Sequence, residues 1–327
     1  MWNGGGDAAP HSTFDIPHLK SLRRVVDPRL PVTSYQSLTS MSLKKILVCL
    51  DADPQPSVFD GVVAVDSGVD FLFRHGGVAA AQVRDLVYGA MFTRGPQELK
   101  NTAVFIGGSD VTVAEGLLKA ATEAFFGPMR VSVMLDANGA NTTAAAAVLA
   151  ARRHVPLSGA IVTVLAGTGA VGRRVVRLLA SEGARVRVAS RKLTHAEGTC
   201  DKISRIVPGA DLTAWTNENA MAAATAVEGA QAVIACGPPG VELLPKGYLA
   251  QAAGLQAAID LNAVPAHGLG DVAPTDKATH HGAIVCYGAL GVGGTKMKIH
   301  KAAIAKLFTR NDLVLDADEI YAIGKEL

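Results

Sequence analysis

Ile161-Val-Thr-Val-Leu165-Ala-Gly167-Thr-Gly169-Ala-Val-Gly172 is the stretch from which the fold can be read. Five residues of strand character run directly into G-x-G-x-x-G, and about a dozen residues of helical pattern follow, up to Gly183. With 34 glycines in the chain, the spacing alone carries little; the strand before it and the helix after it supply the meaning. In such a unit the first glycine permits a tight turn. The second lets the backbone approach a pyrophosphate, and the third lets helix and strand pack closely. The helix N-terminus adds unpaired N–H groups and a positive dipole end. The stretch predicts a Rossmann dinucleotide site with Gly167, Thr168, Gly169, Ala170, Val171 and Gly172 as its phosphate turn.

The next strand, Arg185-Val-Arg-Val-Ala189, bears on which dinucleotide fits. A site for NAD usually places Asp or Glu about 20 residues on, accepting from the ribose 2′-hydroxyl. Here the strand ends in Ser190-Arg191-Lys192, with no acid at the tip. These side chains suit a 2′-phosphate, since a guanidinium forks onto phosphate oxygens. NADP is the expected cofactor; NAD stays open, because Ser190 and Arg191 also tolerate a bare ribose. Further strands are expected at 231–235 and 257–260. Cys236, Asn262 and Tyr287 fall at strand ends, where the nicotinamide end of a dinucleotide lies.

Upstream the same alternation holds. Strands are expected at 45–50, 69–73, 102–106 and 130–135, and helices from Ser57, over 78–90, after Gly107-Gly-Ser-Asp110 and up to about Arg153. This is the rhythm of a parallel sheet with crossover helices. Downstream, 296–308 and 316–326 have helical period. The expected fold class is α/β in two domains. An N-terminal substrate domain spans 41–155, a Rossmann domain spans 156–295, and C-terminal helices within 296–327 return to complete the first. Residues 1–40, with GGG, scattered Pro and Ser and no periodicity, read as a flexible N-terminal extension.

Composition narrows the function classes. The chain of 327 residues is 49% hydrophobic and 18% charged, which excludes intrinsic disorder for its body. A net charge of +2 points to no polyanionic partner such as nucleic acid. No apolar run approaches the roughly 18 residues of a membrane span. Cys49, Cys200, Cys236 and Cys286 lie far apart, without metal or redox spacing, so no metal site is expected and a reducing, cytoplasmic setting is. Gly288-Ala-Leu-Gly-Val-Gly-Gly-Thr-Lys296 looks like a phosphate loop, but it lacks G-K-[ST] and no clear strand precedes it. His280-His281 read as surface histidines in a polar loop, with no carboxylate at ligand spacing.

Several motifs together resemble the bacterial NAD(P)-dependent methylene-tetrahydromethanopterin dehydrogenases. They are Met41-Ser-Leu-Lys-Lys through Asp53-Pro-Gln-Pro-Ser57-Val-Phe-Asp60, Thr93-Arg-Gly95, Phe105-Ile-Gly-Gly-Ser-Asp110 and Phe125-Phe-Gly-Pro-Met-Arg130. To these add Val133-Met-Leu-Asp136-Ala-Asn138-Gly-Ala-Asn141-Thr-Thr143, the glycine turn with Arg191-Lys-Leu193, and Tyr287 through Gly294 with Lys296, Lys298, His300 and 304–308. The resemblance covers 41–327. It implies a pterin-binding domain, an NADP domain, a homo-oligomer, and hydride transfer from the methylene bridge between N5 and N10 in formaldehyde oxidation. It also implies Lys296 as the functional lysine, holding the pterin or tuning its electronics.

That chemistry leaves an amidinium cation on the pterin, so negative or dipolar groups near the bridge favour it. Asp136, at a strand end facing the cleft, is a candidate substrate residue; so is Asp60, although an exposed helix carboxylate is its plainer fate. Asn141, Thr142 and Thr143 either bond a ligand or cap their helix. Alternatives remain. A methylene-tetrahydrofolate dehydrogenase shares the reacting centre, although the Tyr-x-x-x-Lys pair of folate enzymes is absent, Phe92 standing four residues after Tyr88. Shikimate-type chemistry would need a Lys and Asp pair not evident from spacing. A non-catalytic NADPH-binding regulator is a third.

Overall fold

The computed structural model describes residues 43–327; the expectations for 1–40 and for a start at Met41 lie outside them. The first half alternates as expected: β1 (Ile46–Asp51), α1 (Val58–Asp66), β2 (Phe71–His75), α2 (Ala80–Met91), β3 (Thr102–Gly107), α3 (Val111–Glu123), β4 (Ser132–Leu135) and α4 (Ala140–Arg152). The second continues with β5 (Ile161–Leu165), α5 (Ala170–Ser181), β6 (Arg185–Ser190), α6 (Leu193–Ile206), β7 (Leu212–Thr216), α7 (Ala220–Val227), β8 (Ala232–Ala235) and β9 (Ala257–Asp260). Then come β10 (Lys277–His281), β11 (Ile284–Tyr287), α8 (Ala289–Lys306), β12 (Val314–Leu315) and α9 (Ala317–Lys325).

Two sheets result. One has five strands in the order β12-β4-β3-β1-β2, and the other seven in the order β10-β11-β9-β8-β5-β6-β7. All pairings are parallel except the edge pair β10 and β11. In register, Val48 stands beside Phe73 and Val104, while Val164 stands beside Val188 and Ile234. β12 adds the end of the chain to the first sheet through Val314 beside Val133, so the C-terminal return is real. Arg177 on α5 bonds Asp316 and Asp318 and ties down α9.

Local chemistry explains the element starts. Ser57 caps α1, its Oγ accepting the Asp60 N–H at 3.2 Å, and Asp110 caps α3 by accepting from Thr112 and Val113. α4 is buried along almost its whole length, and its alanines let α5, α8 and α9 pack against it. β2 begins two residues later than its apolar pattern suggests, and the Asp70 carboxylate just before it accepts from the Lys45 N–H at 2.8 Å and from Lys44 at 2.9 Å.

Two expectations are corrected. His280 and His281 lie not in a loop but on the exposed edge strand β10, and His281 Nε2 is 2.9 Å from Asp276 Oδ2. The glycine-rich segment does follow a strand, β11, and forms the first turns of α8. A Cβ at Gly288 would stand 2.0 Å from the Ala273 carbonyl oxygen, and one at Gly291 1.8 Å from that of Asp276. These glycines bring α8 against the 273–276 loop, so the segment is a packing device.

Candidate active site

The phosphate turn forms as the sequence requires, with one difference. The left-handed residue is Ala166, at φ 54°, and not Gly167. Gly167 is needed for closeness: a Cβ there would be 3.1 Å from both the Val164 oxygen and Val188. At Gly172 a Cβ would meet the Ala166 oxygen at 2.7 Å and Gly167 at 2.8 Å, so helix and turn touch backbone to backbone. Gly169 differs, having only the Ala166 oxygen within reach, at 3.8 Å. It is the N-cap of α5 and offers no side-chain cap, so the helix N–H groups face a bare surface. This cradle fits a pyrophosphate.

At the tip of β6, buried Ser190 lies 3.4 Å from the Thr168 hydroxyl, while Arg191 and Lys192 are exposed. A cavity of about 300 Å³ beside them is lined by Thr168, Arg173, His195 and Lys202. Arg173 and Lys202 add two cations that spacing from the turn did not single out.

The second cluster sits at the C-terminal ends of β1, β3 and β4, where parallel sheets bind ligands. A cavity of about 320 Å³ opens there, and Asp51, Asp53, Asp60, Ser109, Gly139 and Lys296 are among its lining. Lys296 arrives on α8, which starts at the end of β11 in the other sheet and crosses to this one. Its Nζ stands 4.8 Å from the Phe59 ring centroid. It also lies against Gly139, where a Cβ would be 2.6 Å from Nζ. That glycine has φ 61°, a conformation that disfavours any side chain, and an added Cβ would displace the ammonium.

Asp60 is not the exposed carboxylate its helix position suggested. It is half-buried in the cavity wall, and burial pushes its carboxyl above the usual range against the pull of Ser57 and Lys296. Asp51 and Asp53 were not expected. Asp51 accepts from the Asp53 N–H at 2.8 Å, and Asp53 clamps Ser109 through its N–H and hydroxyl at 2.9 and 2.8 Å. Their signal was position alone, at strand ends.

Asp136, Asn141 and Thr142 do not face the cavity, which corrects their expected place. Asp136 is fully buried and accepts from the Asn141 and Thr142 N–H groups at 2.9 and 3.0 Å and from the Thr142 hydroxyl at 2.7 Å. Neither side chain caps the helix: Asp136 takes the N–H groups at its start, and the Asn141 and Thr142 side chains bond within the fold. The Asn141 amide donates to Asp316 at 3.0 Å and accepts from Arg174, and Arg174 also holds Glu115 at 3.0 Å. This network joins α3, α4, α5 and α9. Ala170 and Val171 pack on the same apolar cluster as Ala137 and Ala140, so the phosphate turn is seated beside the start of α4.

Other positions are also occupied by structure. The Asn262 amide donates to the Ala266 oxygen at 2.8 Å and accepts from the Val264 N–H at 2.9 Å, which shapes its own loop. The Tyr287 hydroxyl shares a 2.9 Å hydrogen bond with His154. Cys236 follows β8 half-buried, and burial keeps its thiol protonated. Sequence reading also missed the role of His300: wholly buried one turn beyond Lys296, it stacks on Phe105 at 5.9 Å.

A family model described as methylene-tetrahydromethanopterin dehydrogenase, N-terminal, matches residues 58–138, the segment that holds Asp60 and Asp136. Two curated relatives come from Methylorubrum extorquens. The bifunctional protein MdtA is 42% identical over 286 residues, covering 87% of this chain and 99% of the relative. An NAD(P)-dependent methylenetetrahydromethanopterin dehydrogenase is 30% identical over 296 residues, with coverage of 87% and 99%. The chain belongs to the methylene-tetrahydromethanopterin dehydrogenase family.

The solved structure of shikimate 5-dehydrogenase from Listeria monocytogenes, in complex with shikimate and NAD, superposes on this member of the family with a TM-score of 0.50. It is 15% identical and covers 86% of this chain and 96% of its own. At that identity the likeness is one of fold: two α/β halves, the second of Rossmann type. Among the described residues no helix is long and apolar enough to cross a membrane.

Proposed function

We propose that this protein oxidises methylene-tetrahydromethanopterin to methenyl-tetrahydromethanopterin, with NADP as hydride acceptor. The observation that carries the reading is the cavity where Lys296 meets Asp60, Asp51 and Asp53 at the strand ends of the first sheet. The family relationship over 87% of the chain supplies the substrate class. In this reading the substrate half is 41–155 completed by 296–327, and 156–295 holds the nucleotide. The enzyme works in the cytoplasm as a homo-oligomer, independently of nucleic acid and membrane.

The turn Gly167–Gly172 would hold the pyrophosphate, and Ser190, Arg191 and Lys192, with Arg173 and Lys202, the 2′-phosphate. When bound, the nicotinamide accepts the hydride. The rest falls to the chain. Hydride loss from the bridge carbon leaves positive charge shared over N5, that carbon and N10, and no proton has to move. Carboxylates at the cavity favour this cation over the neutral substrate. Lys296, fixed by Phe59 and by the bare backbone of Gly139, positions the pterin without abstracting a proton.

The test is a rise in the near-ultraviolet absorbance of NADPH when NADP and methylene-tetrahydromethanopterin are mixed with the protein, run beside NAD and beside methylene-tetrahydrofolate. Turnover with the methanopterin substrate is expected. NADPH binding without turnover on either pterin overturns the proposal.

A further inference from the structure

α5 begins at the phosphate turn, and one helical turn along it stands an arginine that faces inward. Arg174 is 7% exposed and lines neither of the two cavities. Its three guanidinium nitrogens bond in three directions. Nη1 donates to the Ala170 oxygen at 3.1 Å, Nη2 to Glu115 on α3 at 3.0 Å, and Nε to the Asn141 amide oxygen on α4. The first bond returns to the turn itself, one residue after the bare cap Gly169. The other two cross to the first half of the chain. A buried ion pair is weak evidence for stability, because well-packed apolar residues in its place are often as good or better. What the planar fork adds is direction, since its donors lie at fixed angles.

Asn141 passes that direction on. Its Nδ2 donates to the Leu135 oxygen at the end of β4 and to Asp316 at 3.0 Å, while its N–H goes to the Asp136 carboxylate at 2.9 Å. The Asp136 carbonyl oxygen in turn accepts from the Gly139 N–H at 2.9 Å. Asn138 and Gly139 both stand in the left-handed region, at φ 51° and 61°, and both line the cavity, Gly139 against Lys296. Such a conformation at Asn138 persists only where the surroundings over-determine it. A continuous run of hydrogen bonds therefore leads from the start of α5 to the wall of the cavity.

Resting on the reading of the protein as a dehydrogenase with the nucleotide on the turn and the pterin in the cavity, we propose that Arg174 is a positioning residue. It fixes the phosphate turn in register with residues 136–141 and thereby sets the distance across which the hydride passes. Arg174 touches neither ligand in this assignment, so binding of each should survive its loss. The hydride step should not, because a misplacement of about 1 Å far from the chemistry can cost on the order of a hundredfold.

Three variants test the proposal, with thermal unfolding and NADPH titration as controls. Arg174→Met removes the fork and keeps an unbranched side chain, and Arg174→Lys keeps the charge without the fork. Glu115→Ala releases one arm from the exposed side, and it carries the test should Arg174→Met not fold. NADPH affinity should stay within about threefold throughout, while kcat falls roughly 10–100-fold in Arg174→Met, less in Arg174→Lys and a few-fold in Glu115→Ala. The rate ratio between substrates with hydrogen and deuterium on the bridge carbon should rise in the same order, as hydride transfer becomes the slow step. Lower melting temperatures with kcat of the folded enzyme and the isotope ratio at wild-type values overturn the proposal, since Arg174 would then serve stability alone. A second readout is amide hydrogen exchange. In the wild type NADPH should slow exchange at 137–142 as well as at 167–172, and in Arg174→Met only at 167–172. The same pattern in both proteins overturns the proposal. Exchange stands apart from turnover: a wild-type protein that binds NADPH and oxidises neither pterin defeats the functional reading, while exchange still decides whether Arg174 ties the two segments together.

Discussion

The turn after β5 and the cavity beyond β1, β3 and β4 are both strand-end sites, built by opposite means. The turn strips away side chains and leaves backbone N–H groups bare. The cavity gathers carboxylates around one lysine. In the proposed function the turn holds a polyanion through backbone shape, and the cavity acts on a substrate that becomes a cation through charge held in place by other bonds. Substitutions should therefore act differently in the two places.

The largest effects belong to the turn. Gly172→Ala drives a Cβ into backbone at 2.7–2.8 Å, which cannot yield as a flexible side chain would. It should cost about 2–3 kcal/mol of stability and abolish NADPH binding. Gly169→Ala has open space around its Cβ, so melting temperature should hold while NADPH affinity falls at least about tenfold, because the methyl stands where the phosphates approach. Fluorescence titration with NADPH beside thermal unfolding separates the two. Equal effects at both positions would mean that Gly169 serves the fold and not the ligand.

In the cavity, Lys296→Ala should lower kcat on the order of a hundredfold or more with NADPH affinity unchanged. Gly139→Ala should follow with a smaller loss, about tenfold in kcat/KM, by displacing the ammonium that lies 2.6 Å from the added Cβ. If Gly139→Ala weakens NADPH binding instead, the turn and the cavity are coupled more tightly than the separate lining suggests.

The same contrast explains what could be read in advance. The turn is local: strand, glycines and helix follow one another within 161–181, and spacing reports their roles. The cavity is assembled from four segments distant in sequence, 51–60, 108–109, 138–139 and Lys296, and no spacing connects them. Asp60 and Lys296 were legible as chemistry and do meet there. Asp136 and Asn141 carried the right residue types, but buried helix starts consume such groups, and exposure cannot be read from type. Edge strand β10, Lys-Ala-Thr-His-His, escaped because all its residues are exposed and no apolar alternation marks it.

The smallest effect is a difference in stability between wild type and His300→Phe that depends on pH. His300 is held down at about 3 against an ordinary 6.5, so between those values the unfolded chain binds a proton that the folded one refuses. The stability this group contributes is complete above about pH 6.5 and is lost as pH falls toward 3. Asp136, at about 7 against 3.8, has the opposite sign: the folded form keeps a proton that the unfolded one releases, which adds stability as pH falls from about 7 to 4. In the wild type the two oppose each other between about pH 4 and 6.5; His300→Phe leaves only the second. The melting temperature of the variant should therefore gain on the wild type as pH drops below about 6.5, by at most roughly 1.4 kcal/mol per pH unit, or about 2–3 °C. Melting curves that run parallel from neutral pH to about 4.5 would show that His300 takes up a proton inside the folded protein, and a sealed, neutral imidazole beside Asp136 could not then be maintained.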